Sequence, residues 1–228
     1  MRLMTIWSPV LLATVVSVGC AKLPSQAPAM GSRHVSDAVV NANQTNVIGA
    51  GTFQSNGNIQ AEAENQATID QEDPHDTTVI LGQHNNQPSG TLTIRSNRGN
   101  ASLELENSAY VNQYAGRDAK ILRTSQTNTL NGTTRVQAPN GQASLSLENN
   151  WKSDQKAGRD ADLNLSQLNF ESSSTQVSGG RGSSNVLDND LSAKQRFGRN
   201  ANVTFTQNNN APSPTREEND VFIEQRHK

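Results

Sequence analysis

A chain of 228 residues is long enough for one or two ordinary domains, but only 32% of it is hydrophobic and 4% aromatic, too little for a thick globular core. A formal net charge of -2 and a pI near 6.1 provide neither a basic stripe for nucleic acid nor an acidic tail. Asn, Gln, Ser, Thr and Gly replace the apolar residues, a bias that fits either disorder or stacked β-structure held by amide ladders, so periodicity has to decide.

Residues 1–20, MRLMTIWSPVLLATVVSVGC, carry a basic start at Arg2, an apolar run ending near Val18 and small residues before the only cysteine. The run is short for a membrane span. The segment reads as an export signal and resembles a bacterial lipoprotein signal, which would make Cys20 the lipidated first residue of the mature chain; cleavage by an ordinary signal peptidase is the alternative. In either case the expected location is the cell surface or beyond, with membrane contact only through a lipid anchor. A single cysteine allows no intramolecular disulfide. Residues 21–36 read as a flexible linker.

From residue 37 the chain repeats. Asn is followed six places later by Gln at Asn65/Gln71, Asn107/Gln113, Asn149/Gln155 and Asn189/Gln195, a period of 42, 42 and then 40. Twelve places after each of these glutamines a Gln-x-Asn triplet follows at Gln83/Asn85, Gln167/Asn169 and Gln207/Asn209, with Gln126/Asn128 one residue late. An upstream half-unit supplies Gln44/Asn46. Between the two glutamines lie AGRDA at 115–119 and 157–161, FGRNA at 197–201 and the degenerate DPHDT at 73–77. A second, Gly-bearing turn opens each unit at Gly57, Gly99, Gly141 and Gly182. The repeat domain therefore spans 37–210, with a half-unit at 37–56 and units at 57–98, 99–140, 141–181 and 182–210.

Within a unit the period is two. Ala161, Leu163, Leu165 and Gln167 alternate with polar residues, as do Leu145, Leu147, Asn149, Trp151, Ser153 and Gln155, which is the pattern of strands with one buried face. The expected fold is all-β, a β-solenoid of stacked β-arch rungs. Each unit of about 42 residues would form one rung of two long strands, with rungs stacked in parallel about 4.8 Å apart. A finer division into two rungs of about 21 residues fits the sequence equally well.

In such a stack every column is a ladder of equivalent residues. Asn65, Asn107, Asn149 and Asn189, with Gln71, Gln113, Gln155 and Gln195 and with Gln83, Gln126, Gln167 and Gln207, fall on the inward parity. A buried amide without a partner costs several kcal/mol. In a ladder each amide donates to one neighbour and accepts from another, which turns that cost into a register lock. Gly116-Arg117-Asp118, Gly158-Arg159-Asp160 and Gly198-Arg199-Asn200 read as corners, the glycine giving a left-handed or tight backbone and the Asp or Asn bonding its own turn's amides. An adhesion tripeptide or a carboxylate-binding patch is the alternative for GRD. An outward acidic column of Glu64, Glu106, Glu148 and Asp188 reads as a solvated face, with cation binding between rungs as the alternative.

Residues 211–228 form a charged C-terminal tail or a partial final rung. Asn219 and Gln225 repeat the six-residue spacing and flank Val221 and Ile223.

The pattern N-x5-Q-x2-G-R-[D/N]-A-x5-Q-x-N resembles the curlin repeat of bacterial functional amyloids, S-x5-Q-x-G-x2-N-x-A-x3-Q. Gly158, Ala161 and Gln167, and again Gly198, Ala201 and Gln207, match its Gly, Ala and closing Gln. The chain departs from it in Asn for Ser, in a longer Gln-to-Gln interval and in a period about twice as long. The resemblance implies a secreted subunit that polymerises, or a nucleator or anchor of polymerisation, in adhesion and biofilm matrix. Its partners would be itself or other curlin-like subunits and an outer-membrane secretion pore.

Catalysis is not expected. The histidines His34, His75, His84 and His227 are scattered, and no nucleophile constellation or metal-ligand spacing occurs; no cofactor and no metal is expected. The rival reading is a non-polymerising surface lipoprotein that binds carbohydrate or protein. Tyr110 and Tyr114 would be its stacking aromatics, while Trp151 falls on the inward parity and reads as core.

Overall fold

The computed structural model describes residues 13–19, 38–212 and 215–227. Cys20 and the linker at 21–36 lie outside the described residues. Within them the chain forms β-strands and no helix. The half-unit gives β2 (Ala38–Val47) and β3 (Gly51–Ser55), preceded by β1 (Ala13–Gly19). The first full unit gives β4 (Ile59–Asp73), β5 (Thr77–Gln87) and β6 (Thr91–Ser96). The next two give β7 (Ala101–Ala115), β8 (Ala119–Leu130), β9 (Thr133–Ala138), then β10 (Ala143–Ala157), β11 (Ala161–Glu171), β12 (Gln176–Gly179). β13 (Ser183–Phe197), β14 (Ala201–Asn210) and β15 (Arg216–His227) close the chain.

Each of the three units from 57 to 181 sends one strand to each of three sheets, and the unit at 182–210 sends one to the front and one to the back. The front sheet runs β4-β7-β10-β13-β15, the back sheet β1-β2-β5-β8-β11-β14 and the side sheet β3-β6-β9-β12. All pairings are parallel except β1 with β2. Equivalent residues stack directly: Asn65, Asn107, Asn149, Asn189 and Asn219 form one column of the front sheet. The molecule is thus a β-solenoid with one full unit per rung.

Two details differ from the sequence expectation. The division into rungs of about 21 residues does not occur, because front strands pair with front strands one whole unit away. The rung also has a third strand. The longer segment after the GRD corner bends again at Ser89-Gly90 and Asn131-Gly132, and Gly90 takes φ 85°, open to glycine at little cost. The bend frees four to six residues to pair as the side sheet.

The late Gln126/Asn128 pair has a local cause. Arg123 is an extra residue in β8, held at φ 54°, and the register with β11 shifts between Leu163 and Leu165. This β-bulge absorbs one residue, so Thr124 resumes the inward parity and Gln126 meets Gln83 and Gln167.

The interior is layered along the strands. Leu92, Ile94, Leu103, Leu105, Leu145 and Leu147 pack between side and front sheets. Val79, Leu81, Val111, Ile121, Trp151 and Leu163 pack between back and front sheets. At the GRD corner only Ala115, Ala119, Ala157 and Ala161 fit between the converging strands. The amide columns separate these layers.

Candidate functional site

The buried amides form continuous hydrogen-bonded columns. Asn65 Nδ2 donates to Asn107 Oδ1, Asn107 to Asn149 and Asn149 to Asn189, each at 2.9 Å, and Asn189 to Asn219 at 3.0 Å. On the back sheet Asn85 donates to Asn128 and Asn128 to Asn169 at 2.9 Å, and Asn169 to Asn209 at 3.0 Å. The two columns also bond each other, as when Asn107 donates to Asn128 at 3.0 Å. They close as a zipper between the sheets.

The glutamines form two further columns. Gln113 Nε2 donates to Gln71 Oε1 and Gln155 to Gln113 at 3.0 Å, Gln195 to Gln155 at 2.9 Å and Gln225 to Gln195 at 2.8 Å. On the back sheet Gln126 donates to Gln83 at 2.9 Å, Gln167 to Gln126 at 2.8 Å and Gln207 to Gln167 at 2.9 Å. Each amide nitrogen also ties the sheets together: Gln155 donates to the carbonyls of Ala119 at 3.1 Å and Asp162 at 3.0 Å. Gln113, Gln126, Gln155 and Gln167 have no exposed surface, so these bonds satisfy groups that water cannot reach.

The columns have direction. Asparagine nitrogens donate toward the C-terminal end of the stack, and glutamine nitrogens donate toward the N-terminal end. At the C-terminal end the front sheet therefore finishes on an Asn donor, at Asn219, and a Gln acceptor, at Gln225. The order of donors and acceptors is reversed at the other end.

The GRD corners differ from expectation in mechanism. Gly116, Gly158 and Gly198 have no left-handed backbone. Glycine is required there because a Cβ on Gly158 would stand 2.0 Å from the Gly116 carbonyl oxygen, and one on Gly198 2.1 Å from that of Gly158. The backbones of successive corners touch. The Asp side chains likewise bond the next rung and not their own turn: Asp76 accepts from the Asp118 amide at 3.1 Å, and Asn200 donates to Asp160 at 3.2 Å. Arg117 lies 3.8 Å from Asp76 and Arg159 3.8 Å from Asp118, so each arginine faces the carboxylate of the rung before it. Arg199 sits at the same corner, its amide bonding the Arg159 carbonyl at 3.0 Å.

On the outer face of the front sheet Glu64, Glu106, Glu148 and Asp188 stack in one column, continued by Glu218. Partial burial, then the carboxylates of Glu64, Glu148 and Glu62, push the Glu106 carboxyl up against the opposing hydrogen bond from Asn150. Burial, then Glu218, Glu148, Asp220 and Asp190, push Asp188 up. Among the described residues no group of three or more His, Cys, Asp or Glu side chains is placed to hold a metal ion. Nearer the corner, Tyr110 and Tyr114 are exposed, with Lys152 Nζ 5.7 Å and Lys156 Nζ 4.6 Å from their ring centres. Trp151 is buried against Ala109, Val111 and Leu191.

The ends are asymmetric. At the N-terminal end β1 lies antiparallel on β2, while β4 is the outermost strand of the front sheet. At the C-terminal end β15 completes the front sheet with Asn219 over Asn189 and Gln225 over Gln195, but among the described residues no side strand lies between β14 and β15. A cavity of about 420 Å³ opens there, lined by Val177, Ser184, Asn185, Pro212 and Thr215. Glu171 stands beside it, 3% exposed, its Oε2 accepting from Asn185 at 2.8 Å. Burial pushes its carboxyl from 4.5 to about 7, with the Asn185 bond opposing and Glu217 adding. Sequence reasoning missed Glu171 because its column holds Gln87, Leu130 and Glu171, with no shared residue type to mark it.

Comparison with protein-family models, with curated proteins and with solved structures returns no match.

Proposed function

We propose that this chain is a structural protein of the cell surface, a curlin-like subunit, nucleator or anchor of extracellular amyloid-like fibres, exported and tethered through a lipidated Cys20. The observation that carries the reading is the direction of the amide columns. Asn219 offers a donor and Gln225 an acceptor where the front strand β4 of a following copy needs them, so β15 of one copy seats on β4 of the next and both ladders continue. The strand edges at the two ends are templates of the same kind. β1 belongs to the segment read as the export signal, and its removal uncovers the β2 edge for β14 of a neighbouring copy. Each junction then leaves the side sheet one strand short, at the cavity beside Glu171.

A second reading is favoured by one feature, the exposed Tyr110 and Tyr114 with lysines over their rings, which suit a sugar-binding face on a stack that does not polymerise. One experiment separates the two. Residues 21–228 are diluted from denaturant and followed by thioflavin fluorescence and electron microscopy. Fibres that seed fresh monomer are the expected result, and a stable monomer whose state is independent of concentration would sink the fibre reading.

A further inference from the structure

The side sheet ends one strand early. Bonded asparagines of the back and front sheets stand 22, 21 and 20 residues apart at Asn85/Asn107, Asn128/Asn149 and Asn169/Asn189, but only 10 apart at Asn209/Asn219. Residues 172–182 join β11 to β13 and carry β12, whereas 211–215 alone join β14 to β15, too few for a strand with its two bends. The cavity of about 420 Å³ lies at that place and has the size of a ligand site. Beside it, the edge of β12 away from β9 pairs no strand among the described residues.

The earlier units show what a further side strand would touch. Thr134 of β9 donates to Gln87 of the preceding unit at 2.6 Å. Thr175, just before Gln176, follows Thr134 in its column, and Glu171 shares a column with Gln87. Glu171 is therefore the group to which the first inward residue of the next side strand would donate. Its Oε1 is buried with no hydrogen-bond partner among the described residues, as are Thr175 Oγ1 and Asn185 Oδ1, and both Thr175 and Asn185 line the cavity. Three acceptors call for a donor, and an ammonium carries three N–H bonds. Charge agrees: Glu217 adds a second carboxylate near Glu171, and Arg216, which lines the cavity, is held by Glu218. The other inward columns call for an aliphatic residue after Ile94, Val136 and Val177, and a small one after Ala138 and Gly179.

We propose that this slot is a peptide-binding site: an extended segment of another protein enters it as a strand parallel to β12. A lysine at its first inward position donates to Glu171, an aliphatic residue at the second covers Val177 and a small residue at the third covers Gly179. The chain's own side strands β3, β6, β9 and β12 are all built into their sheet, so the strand comes from elsewhere. The site belongs to a single chain and does not depend on the fibre reading. In a fibre it recurs once per copy, with β3 of the following copy across the slot to pair the segment's other edge.

The test adds fluorescein-labelled peptides to the full chain and reads anisotropy. The peptides copy β9, residues 133–138, in three forms: natural, Thr134→Lys, and Thr134→Lys with Val136→Asp. The Thr134→Lys peptide is expected to bind at least tenfold more tightly than the natural one, and the doubly changed peptide not to bind. In a Glu171→Gln chain the natural and Thr134→Lys peptides are expected to bind alike. On the natural chain, binding of the Thr134→Lys peptide should slow hydrogen exchange at the amides of Gln176–Gly179. Equal affinity of the first two peptides for the natural chain, binding that survives Val136→Asp, or protection confined to other strands overturns the proposal. N-acetyl-lysine amide binding as tightly as the Thr134→Lys peptide would make the slot a site for small amines and also overturns it. So would displacement of that peptide by a peptide of residues 21–36, which would assign the slot to the chain itself.

Discussion

Gln155 makes four hydrogen bonds between rungs and sheets: it donates to Gln113, Ala119 and Asp162 and accepts from Gln195. Removing it leaves the carbonyls of Ala119 and Asp162 short of a donor and opens a hole in a dry layer. Gln155→Ala is expected to destabilise the fold by about 3 kcal/mol, read from the urea midpoint at constant m. Glu171 works in the opposite sense. Its carboxyl binds a proton more tightly in the folded chain than in the unfolded one, so it favours the fold below its ordinary value and that contribution disappears as pH rises toward about 7. Stability should fall between about pH 4.5 and pH 7 by on the order of 3 kcal/mol from this group, and Glu171→Gln should flatten the profile in a urea-by-pH series. The two residues differed in legibility for a physical reason. Gln155 belongs to a column in which each rung needs the same amide, so spacing alone exposes it, whereas Glu171 sits where the last side strand is missing and its column has no chemical constant.

At the scale of the element, strand parity and the corners were legible because alternation and glycine recur in every unit. The reason for the glycines was not, since it lies between rungs: a Cβ at Gly158 meets the Gly116 carbonyl oxygen at 2.0 Å. Gly158→Ala should therefore destabilise by about 3 kcal/mol or more as the corner is pushed off its neighbour, while Arg159→Ala should change stability by less than about 1 kcal/mol, as expected of an exposed ion pair. Both are read by thermal melts of the same preparation. The side strands were hidden because they are four to six residues long, too short for alternation to stand out against the polar background. The bulge at Arg123 yields a further contrast. Deleting Arg123 removes a residue held at positive φ and leaves Gln126 in register, and should be tolerated or raise stability by about 1 kcal/mol. Deleting Asn164 turns Leu165, Gln167 and Asn169 to the outer face and should abolish cooperative unfolding in the same melts.

For the whole molecule, the aligned columns give the stack a direction and give its ends complementary chemistry. They also set its response to pH. Burial and stacked carboxylates raise Glu106, Asp188 and Asp190 in the same sense as Glu171, so protonation relieves repulsion along the front face and mildly acidic solution should favour the assembled form. The tail was legible as a partial rung from Asn219 and Gln225 alone, because a ladder position requires the same residue wherever the strand lies. The most direct measurement is a disulfide trap across the end-to-end junction. With Cys20→Ser as background, one preparation carries Gln66→Cys, on the outermost front strand at the N-terminal end, and the other Asp220→Cys, on the outermost front strand at the C-terminal end. Seating β15 on β4 brings these positions to about 4.8 Å, within reach of a disulfide. The expected result is a mixed dimer of the two chains that forms on oxidising co-assembled fibres and is absent from monomer; fibres that give no mixed dimer, or only dimers of like chains, would contradict head-to-tail continuation of the ladders.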